Sequence, residues 1–345
     1  MAVESNMYEF EIISLDSLSQ KEYCDFENKS IFTTIEWLSF VAQDSGATPL
    51  IIRIEKNSIF IGYFTALAMK KFGVSIVASP FRGWSTCFMG FDVKDPTCKL
   101  EIMPSLLEYL FTRQKCMYFE LVDRDISLEN ARGAGFKGEG VSTLELDLSP
   151  DETDLFKNFK TDARNFIRQF ERRGATIEEA RPDSAFASEY YDQLCDVFEK
   201  QGLLPTYNLK KVENLLAAMG NTDRLLCLRV RDPEGRSIAT SIFLGYRKKF
   251  FFWGGASYRE FQSYRPNEAM IWYAIRYWKK RGCEIFDMVG VRDYKRKFGP
   301  EEKEYAKITV SKYAILIGLR NMAEKVYFYI LRIKKKIKTL EAVEK

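Results

Sequence analysis

Histidine is absent from the 345 residues. Without an imidazole, a Ser-His-Asp or Cys-His relay is excluded, and so is the commonest metal ligand. The seven cysteines, Cys24, Cys87, Cys98, Cys116, Cys195, Cys227 and Cys283, are odd in number and form no C-x-x-C pair. Most stand in apolar surroundings, as in RLLCLRV, which predicts buried free thiols in a reducing cytoplasm. A chain with neither His nor paired Cys offers no zinc site, so no metal is expected. Phosphate-loop and dinucleotide fingerprints are also missing: there is no GxxxxGK[ST] and no GxGxxG after a strand. No run approaches the roughly 18 apolar residues that span a bilayer. The opening MAVESNMYEF has no basic n-region and no apolar h-region, which predicts no signal peptide and a cytoplasmic protein.

What is present suits a globular protein of two domains. Hydrophobic residues make up 46% and charged residues 29%. That length and composition bury a core without staples. The net charge of +4 is too small to indicate nucleic acid by itself; its clustering says more.

Two halves follow one plan. In the first, FTTIEWLSFVAQDSG reads as a helix ending at Gly46. PLIIRIE and IFIGYFTALAM read as strands across a KNS turn, and VSIVAS as another strand. KLEIMPSLLEYLFTRQK reads as a helix that starts either at Lys99 or at Pro104, and CMYFELVD as a strand ending in Asp123. In the second, SAFASEYYDQLCDVFEKQG is a helix ending at Gly202. RLLCLRVR and SIATSIFLGYR are strands across DPEGR, and FFFWGGAS is a further strand. NEAMIWYAIRYWKKRG is a helix with Met270, Ile271, Ala274, Ile275 and Trp278 on one face, followed by the strand EIFDMVG. Such alternation predicts α/β architecture, a mixed sheet covered by helices.

Between the halves, Ser149 with Glu152 suggests a capping box, with Pro150 at the first helical position. Leu155, Phe159, Ala163, Phe166 and Phe170 make a core face. Lys160, Arg164, Arg168 and Arg172 make a second, basic stripe, which few acids interleave. The tail SKYAILIGLRNMAEKVYFYILRIKKKIKTL reads as a long helix. Its apolar stripe is Ile315, Leu316, Leu319, Met322 and Val326, and it turns basic at Arg332, Lys334, Lys335, Lys336 and Lys338. These cations suit either an anionic membrane surface, in peripheral contact at its inner face, or the helix's own C-terminal dipole.

The stretch FDMVGVRDYKRKFGP (286–300) is the most unusual. Asp287 sits in an apolar strand, where an acid is costly unless paired, so a structural pair and a catalytic role both stand. The chain then presents Tyr294, Lys295, Arg296 and Lys297 on a Gly-Pro loop. Cationic loops, acids and tyrosines can hold phosphate-bearing substrates and stabilise a developing oxyanion. They fit an acyl transfer in which an amine attacks the donor carbonyl directly.

Three segments resemble the Fem family of peptidoglycan aminoacyl transferases and related acyltransferases of the GNAT superfamily. They are IFTTIEWLSFV, FKTDARNFIRQFERRGATIEEA and RPNEAMIWYAIRYWKKRGCEIFDMVGVRDYKRKFG, and the likeness runs over about residues 30–335. The resemblance implies two tandem GNAT-like domains with mixed sheets, residues 1–148 and 149–311. It also implies a C-terminal helix, 312–345, that packs on the first domain. It implies transfer of an amino acid from aminoacyl-tRNA, or an acyl group from acyl-CoA, to an amine on a cell-envelope precursor. The acceptor would be a nucleotide- or lipid-linked sugar or a muropeptide. It places Lys295, with Tyr294 beside it, at the transfer centre, with Asp287 a further candidate. Arg164, Arg168 and Lys297 would hold phosphates, and Asp123 ends a strand where family members often carry an acid that could contact substrate. Two further substrate contacts are candidates against plainer readings: Arg82, in SPFRGWS, lines the cleft or belongs to a simple turn, and Trp37 is a ligand platform or a core residue. The interval YREFQSYRP lacks a Gly-rich pyrophosphate loop, and no long helical hairpin of the kind tRNA-using members carry is visible, so the donor stays open. The rival reading is a non-catalytic GNAT-like binder in envelope polysaccharide biosynthesis.

Overall fold

A computed structural model describes residues 7–15, 17–18, 20–27, 29–200, 203–320, 322 and 326. It divides into two compact units, residues 1–143 with 302–314 and residues 144–301 with 315–345.

Along the chain, the first unit holds β1 (Tyr8–Ile13), α1 (Gln20–Cys24), α2 (Ile35–Ser45), β2 (Thr48–Lys56), β3 (Ile59–Lys71) and β4 (Val74–Ser79). It continues with β5 (Gly90–Val93), α3 (Lys99–Thr112), β6 (Tyr118–Val122) and α4 (Leu128–Gly133). Strand β7 (Gly138–Asp147) crosses the boundary. The second unit holds α5 (Glu152–Asn158), α6 (Thr161–Arg172), β8 (Thr176–Glu179), α7 (Ser184–Lys200) and α8 (Leu209–Met219). It goes on through β9 (Leu225–Arg231), β10 (Ser237–Tyr246), β11 (Lys249–Ser257), α9 (Pro266–Lys280) and β12 (Ile285–Asp287). Strand β13 (Glu301–Ser311) returns to the first unit.

The first unit's sheet runs β1-β2-β3-β4-β6-β13, with β5 on β3. Its hairpins are antiparallel, while β4 and β6 pair in parallel around the crossover helix α3. Ile52, Phe64, Val77, Phe119 and Leu121 from the strands pack with Ile102, Leu106 and Leu110 of α3. The second unit's sheet runs from the end of β7 through β12, β11, β10 and β9 to β8. Here β11 and β12 are the parallel pair around α9. Its core joins Phe243, Phe250 and Phe286 to Ala274, Ile275 and Trp278 of α9 and to Phe159, Ala163 and Ile167. Both units thus use one device, a parallel strand pair with its crossover helix beside antiparallel hairpins, as the repeat in the sequence predicted.

Several expectations are corrected. Of the two starts open for α3 the helix takes Lys99, with Pro104 inside it. The capping box at Ser149 does not form. Ser149 donates to Asp147, and Asp151 caps α5 by accepting from the Asp154 N–H at 2.8 Å. The expected single helix breaks at Phe159–Lys160, because the Lys160 N–H donates to the Lys297 carbonyl at 2.8 Å in place of a helical partner. The break shifts the phase of α6, so Ile167 takes the core position expected of Phe166, which is half-buried. The expected boundary at 148/149 falls at 143/144. Residues 302–311, expected in the second domain, lie in the first because β13 pairs with β6.

Residues 314–320, 322 and 326 are helical, but the apolar stripe expected to pack on the first domain is open. Ile315 is 69% exposed, Leu319 46%, Met322 57% and Val326 49%. The basic end of the tail and the expected helix end at Gly202 lie outside the described residues. Among the described residues no helix is long and apolar enough to cross a membrane, and no group of His, Cys, Asp and Glu could hold a metal.

Candidate functional site

In the second unit, β11 and β12 pair through Lys249–Ile285, Phe250–Phe286 and Phe251–Asp287, and then part. The Phe250 and Phe286 rings stack at 4.2 Å where the strands still meet. Beyond Asp287, the Met288 N–H turns to the Leu144 carbonyl at 2.8 Å. Val289 (φ 56°) and Gly290 (φ 74°) then swing the chain away in left-handed conformations. Meanwhile β11 runs on to Ser257. It carries a bulge: Ile242 pairs with Gly254 and Phe243 with Phe252, so Trp253 is the extra residue.

A cavity of about 280 Å³ occupies this opening. Phe252 and Ser257 of β11, Ser241 of β10, Asn267 and Met270 of α9, and Tyr294 line it. Parallel sheets place ligand crevices at such carboxyl ends of strands. The first turn of α9 stands at its edge, with Pro266 at the first helical position and no side-chain cap bonded to its N–H groups. The helix dipole makes that end electropositive. Arg265, left-handed at φ 61°, lies just before it with its guanidinium 4.1 Å from the Phe166 ring centre.

Tyr294 is half-exposed on the cavity wall. Desolvation pushes its phenol up to about 12, so the hydroxyl keeps its proton and is available as a donor. Lys295 follows it in sequence but points elsewhere. Its side chain is buried, and its ammonium donates to the carbonyls of Met288 at 2.6 Å, Val289 at 2.7 Å and Gly290 at 3.4 Å. Lys295 therefore clamps the turn that carries β12 away from β11. Asp287 is buried too, and one of its oxygens accepts the Val289 N–H at 2.9 Å, bracing the same turn from the other side. Neither residue is among those that line the cavity.

Lys297 is ion-paired with Glu268 in the first turn of α9. Its ammonium lies 5.2 Å from the Phe166 ring centre, so Phe166 gathers Lys297 and Arg265. Arg164 donates to Thr161 Oγ1 at 3.1 Å and keeps a buried Nε without a hydrogen-bond partner. Arg168 is exposed over Phe156. The structure thus joins Tyr294, Lys295 and Asp287 around one turn, and Lys297 to the start of α9.

Three expected contacts lie in the other unit. Trp37 is corrected to a core residue: it is fully buried, donates through Nε1 to Thr86 Oγ1 at 3.0 Å and packs edge-on against Phe32 and Phe40. Asp123 is corrected likewise. It is fully buried and accepts from the Phe91 N–H, the Asp125 N–H and the Lys99 ammonium, all within 2.9 Å. Arg82 is exposed in the turn after β4 and stays accessible.

Sequence reasoning missed Ser241, Ser257, Asn267, Arg265 and the bulge at Trp253. The bulge had a signal, since Gly254-Gly255 inside a strand marks an irregularity or a close approach. A Cβ on Gly254 would stand 2.2 Å from the Tyr190 hydroxyl. None of the seven cysteines is in a disulfide; Cys116, Cys227 and Cys283 are buried as expected, whereas Cys24, Cys87, Cys98 and Cys195 are only partly so. Burial pushes Cys116 and Cys227 up and Cys283 to about 12.

Residues 157–296 match the acetyltransferase (GNAT) domain family. Among solved structures, FemX superposes with a TM-score of 0.74 at 15% identity, over 90% of this chain and 99% of that one. A tandem GNAT protein from the clavulanic acid biosynthesis pathway gives a TM-score of 0.53 at 10% identity, over 88% and 98%. The C-terminal domain of a putative lysylphosphatidylglycerol synthetase from Agrobacterium fabrum gives 0.50 at 12% identity, over 77% and 85%. A comparison with curated proteins gave no match. The resemblance seen in the sequence therefore holds at the level of fold: the chain shares its α/β architecture with FemX and with a tandem GNAT protein, and residues 157–296 resemble the acetyltransferase (GNAT) domain.

Proposed function

We propose that the second unit transfers an acyl or aminoacyl group from an activated donor to an amine of a cell-envelope precursor. The donor is acyl-CoA or an aminoacyl-tRNA; the acceptor is a nucleotide- or lipid-linked sugar or a muropeptide. The observation that carries this reading is the parting of two parallel strands after Phe251 and Asp287, with a cavity in the gap and an uncapped helix start beside it.

Among the described residues no strand pairs with Phe252–Ser257 on the side that faces β12. Main-chain N–H groups on such an edge need acceptors. The donor's carbonyl oxygen can supply one, and it becomes a better one as the attacking amine drives it towards an oxyanion. Tyr294 stands at the same cavity as a neutral donor, suited to protonating the departing thiolate or ribose oxygen. The new C–N bond forms as the old acyl bond breaks, and the proton that the acceptor amine sheds passes to the Tyr294 oxygen, replacing the one given to the leaving group. Phosphates of the donor find the N-terminus of α9, Arg265 and Arg164. Lys295 and Asp287 act one step back, as positioning residues for the turn that presents Tyr294.

The binder reading has one observation in its favour: among the described residues Tyr294 is the one ionisable side chain that lines the cavity, with no carboxylate or amine beside it to serve as base. The experiment that separates the two mixes the purified protein with acyl-CoA and aminoacyl-tRNA donors and with amine-bearing nucleotide-sugar and lipid-linked acceptors. Mass spectrometry then follows the acceptor. Acyl transfer that Ser241→Leu abolishes by filling the cavity is the expected result. Retained binding with no transfer from any donor would favour the binder.

A further inference from the structure

The tail helix gives an inference that does not depend on the transfer chemistry. Ile315, Leu319, Met322 and Val326 follow at steps of four, three and four. On an α-helix these offsets fall within about 60° of one another, a single face. All four side chains are exposed, and Tyr313 beside them is exposed as well. An apolar face of this kind, left open, needs an occupant.

The sequence that follows limits what the occupant can be. Residues 326–340, VYFYILRIKKKIKTL, carry Arg332, Lys334, Lys335, Lys336 and Lys338 and no acid. Tyr327, Phe328 and Tyr329 lie between the exposed stripe and those cations. A second copy of this chain would bring five like charges against five. An RNA would satisfy the cations and leave the stripe in water. An anionic bilayer satisfies both, since headgroup phosphates meet the cations while the apolar face enters the acyl boundary. We infer that the exposed stripe of Ile315, Leu319, Met322 and Val326, together with the cations that follow it in the sequence, seats the protein on an anionic membrane surface.

The test is vesicle flotation of the full chain. Vesicles of phosphatidylcholine alone are compared with vesicles of phosphatidylcholine mixed with phosphatidylglycerol, at low and high salt. Binding to the mixed vesicles is expected, weakened by salt and near absent on phosphatidylcholine. The triple change Lys334→Gln, Lys335→Gln and Lys336→Gln should lower the partition coefficient about 100-fold. The pair Leu319→Ser and Met322→Ser should lower it about tenfold or more. Leu319 and Met322 are exposed, so Tm should hold in that pair. No flotation with the anionic vesicles would overturn the inference. So would a lipid-free dimer that Leu319→Ser dissolves, or tRNA binding indifferent to Leu319→Ser that strips the protein from the vesicles.

Discussion

The ammonium of Lys295 donates to the carbonyl of Val289 at 2.7 Å, and Val289 is a β-branched residue at a φ of 56°. A left-handed valine is strained by about 1–3 kcal/mol and persists only where its surroundings hold it. The clamp by Lys295 and the Asp287–Val289 bond supply that hold. Lys295→Met would leave the carbonyls of Met288, Val289 and Gly290 without their charged donor. The expected loss is about 1–3 kcal/mol of stability, together with a displaced Tyr294. Val289→Gly should relieve the strain and partly rescue Lys295→Met. Urea unfolding of the two single variants and the double measures this; strict additivity would mean that Lys295 does not hold the turn.

A second buried cation gives a pH prediction. Lys99 is buried with Asp123 and Asp125 at 2.8 and 2.6 Å. Burial alone would depress the Lys99 pKa, but the two carboxylates outweigh it and hold the pKa above its ordinary value. A raised folded-state pKa means stability fully present below the unfolded value of about 10.4 and lost as the pH climbs through the folded one. Lys99→Met should cost about 3–5 kcal/mol near neutrality, since it strands Asp123. The gap between wild type and variant should stay level from pH 7 to 9 and narrow above pH ~10.4. A gap that widened with alkalinity would contradict the assignment.

Much of the frame could be read in advance. The helix ending at Gly46, the hairpins, the crossover helices and the basic stripe of α6 follow from periodicity and turn residues, and the structure has them. Strand β13 could not be found that way: EEKEYAKITVS opens with four exposed charged residues, and its apolar alternation is confined to Ala306, Ile308 and Val310. Strand β5 has four residues, too few for a pattern. At the site, the sequence shows Tyr294 and three cations near it. It does not show that left-handed geometry at Val289 and Gly290 turns three carbonyls onto Lys295, because φ is a tertiary outcome there. Asp123 and Trp37 fail as contacts for a related reason: an acid or an indole in an apolar context looks the same whether its partner is a substrate or the core.

The bulge makes a testable contact behind the cavity. The Tyr190 hydroxyl bonds that of Tyr207 at 2.7 Å and lies where a Gly254 Cβ would go. Gly254→Ala should destabilise by about 1–3 kcal/mol through overpacking. Tyr190→Phe removes the clashing oxygen, so the double variant should recover part of that loss, with a coupling above about 0.5 kcal/mol. Thermal or urea unfolding of the cycle checks it; zero coupling would place the strain elsewhere in the strand.

Arg164 and Arg265 should act on binding. Each keeps a buried Nε with no partner, and Arg265 stands at the start of α9. A phosphate held there is held alike in ground state and transition state, so Arg164→Met and Arg265→Met should raise KM for the phosphate-bearing donor and leave kcat nearly unchanged. Steady-state kinetics with the donor varied shows the split. A fall in kcat at constant KM would move these residues to the reacting centre.

Tyr294 should act on the chemical step, and its pKa makes that separable. The phenol stands at about 12 because desolvation disfavours the phenolate, with Arg292 pulling the other way and Glu268 adding to the rise. The group therefore keeps its proton through the range where an ordinary tyrosine, near pH 10, would lose it. Activity that depends on its donated hydrogen bond should stay flat up to pH ~10 and fail only nearer 12. Tyr294→Phe should lower kcat by as much as about 10²–10³ while leaving the cavity and Tm intact. The ratio of wild-type to variant rate should be independent of pH from 7 to ~10. Profiles of kcat against pH for both proteins decide it. An alkaline limb with a midpoint near 10 that is present in wild type and missing in Tyr294→Phe would show the phenol to be an ordinary, solvated one, and Tyr294 would then lose its place as proton donor to the leaving group.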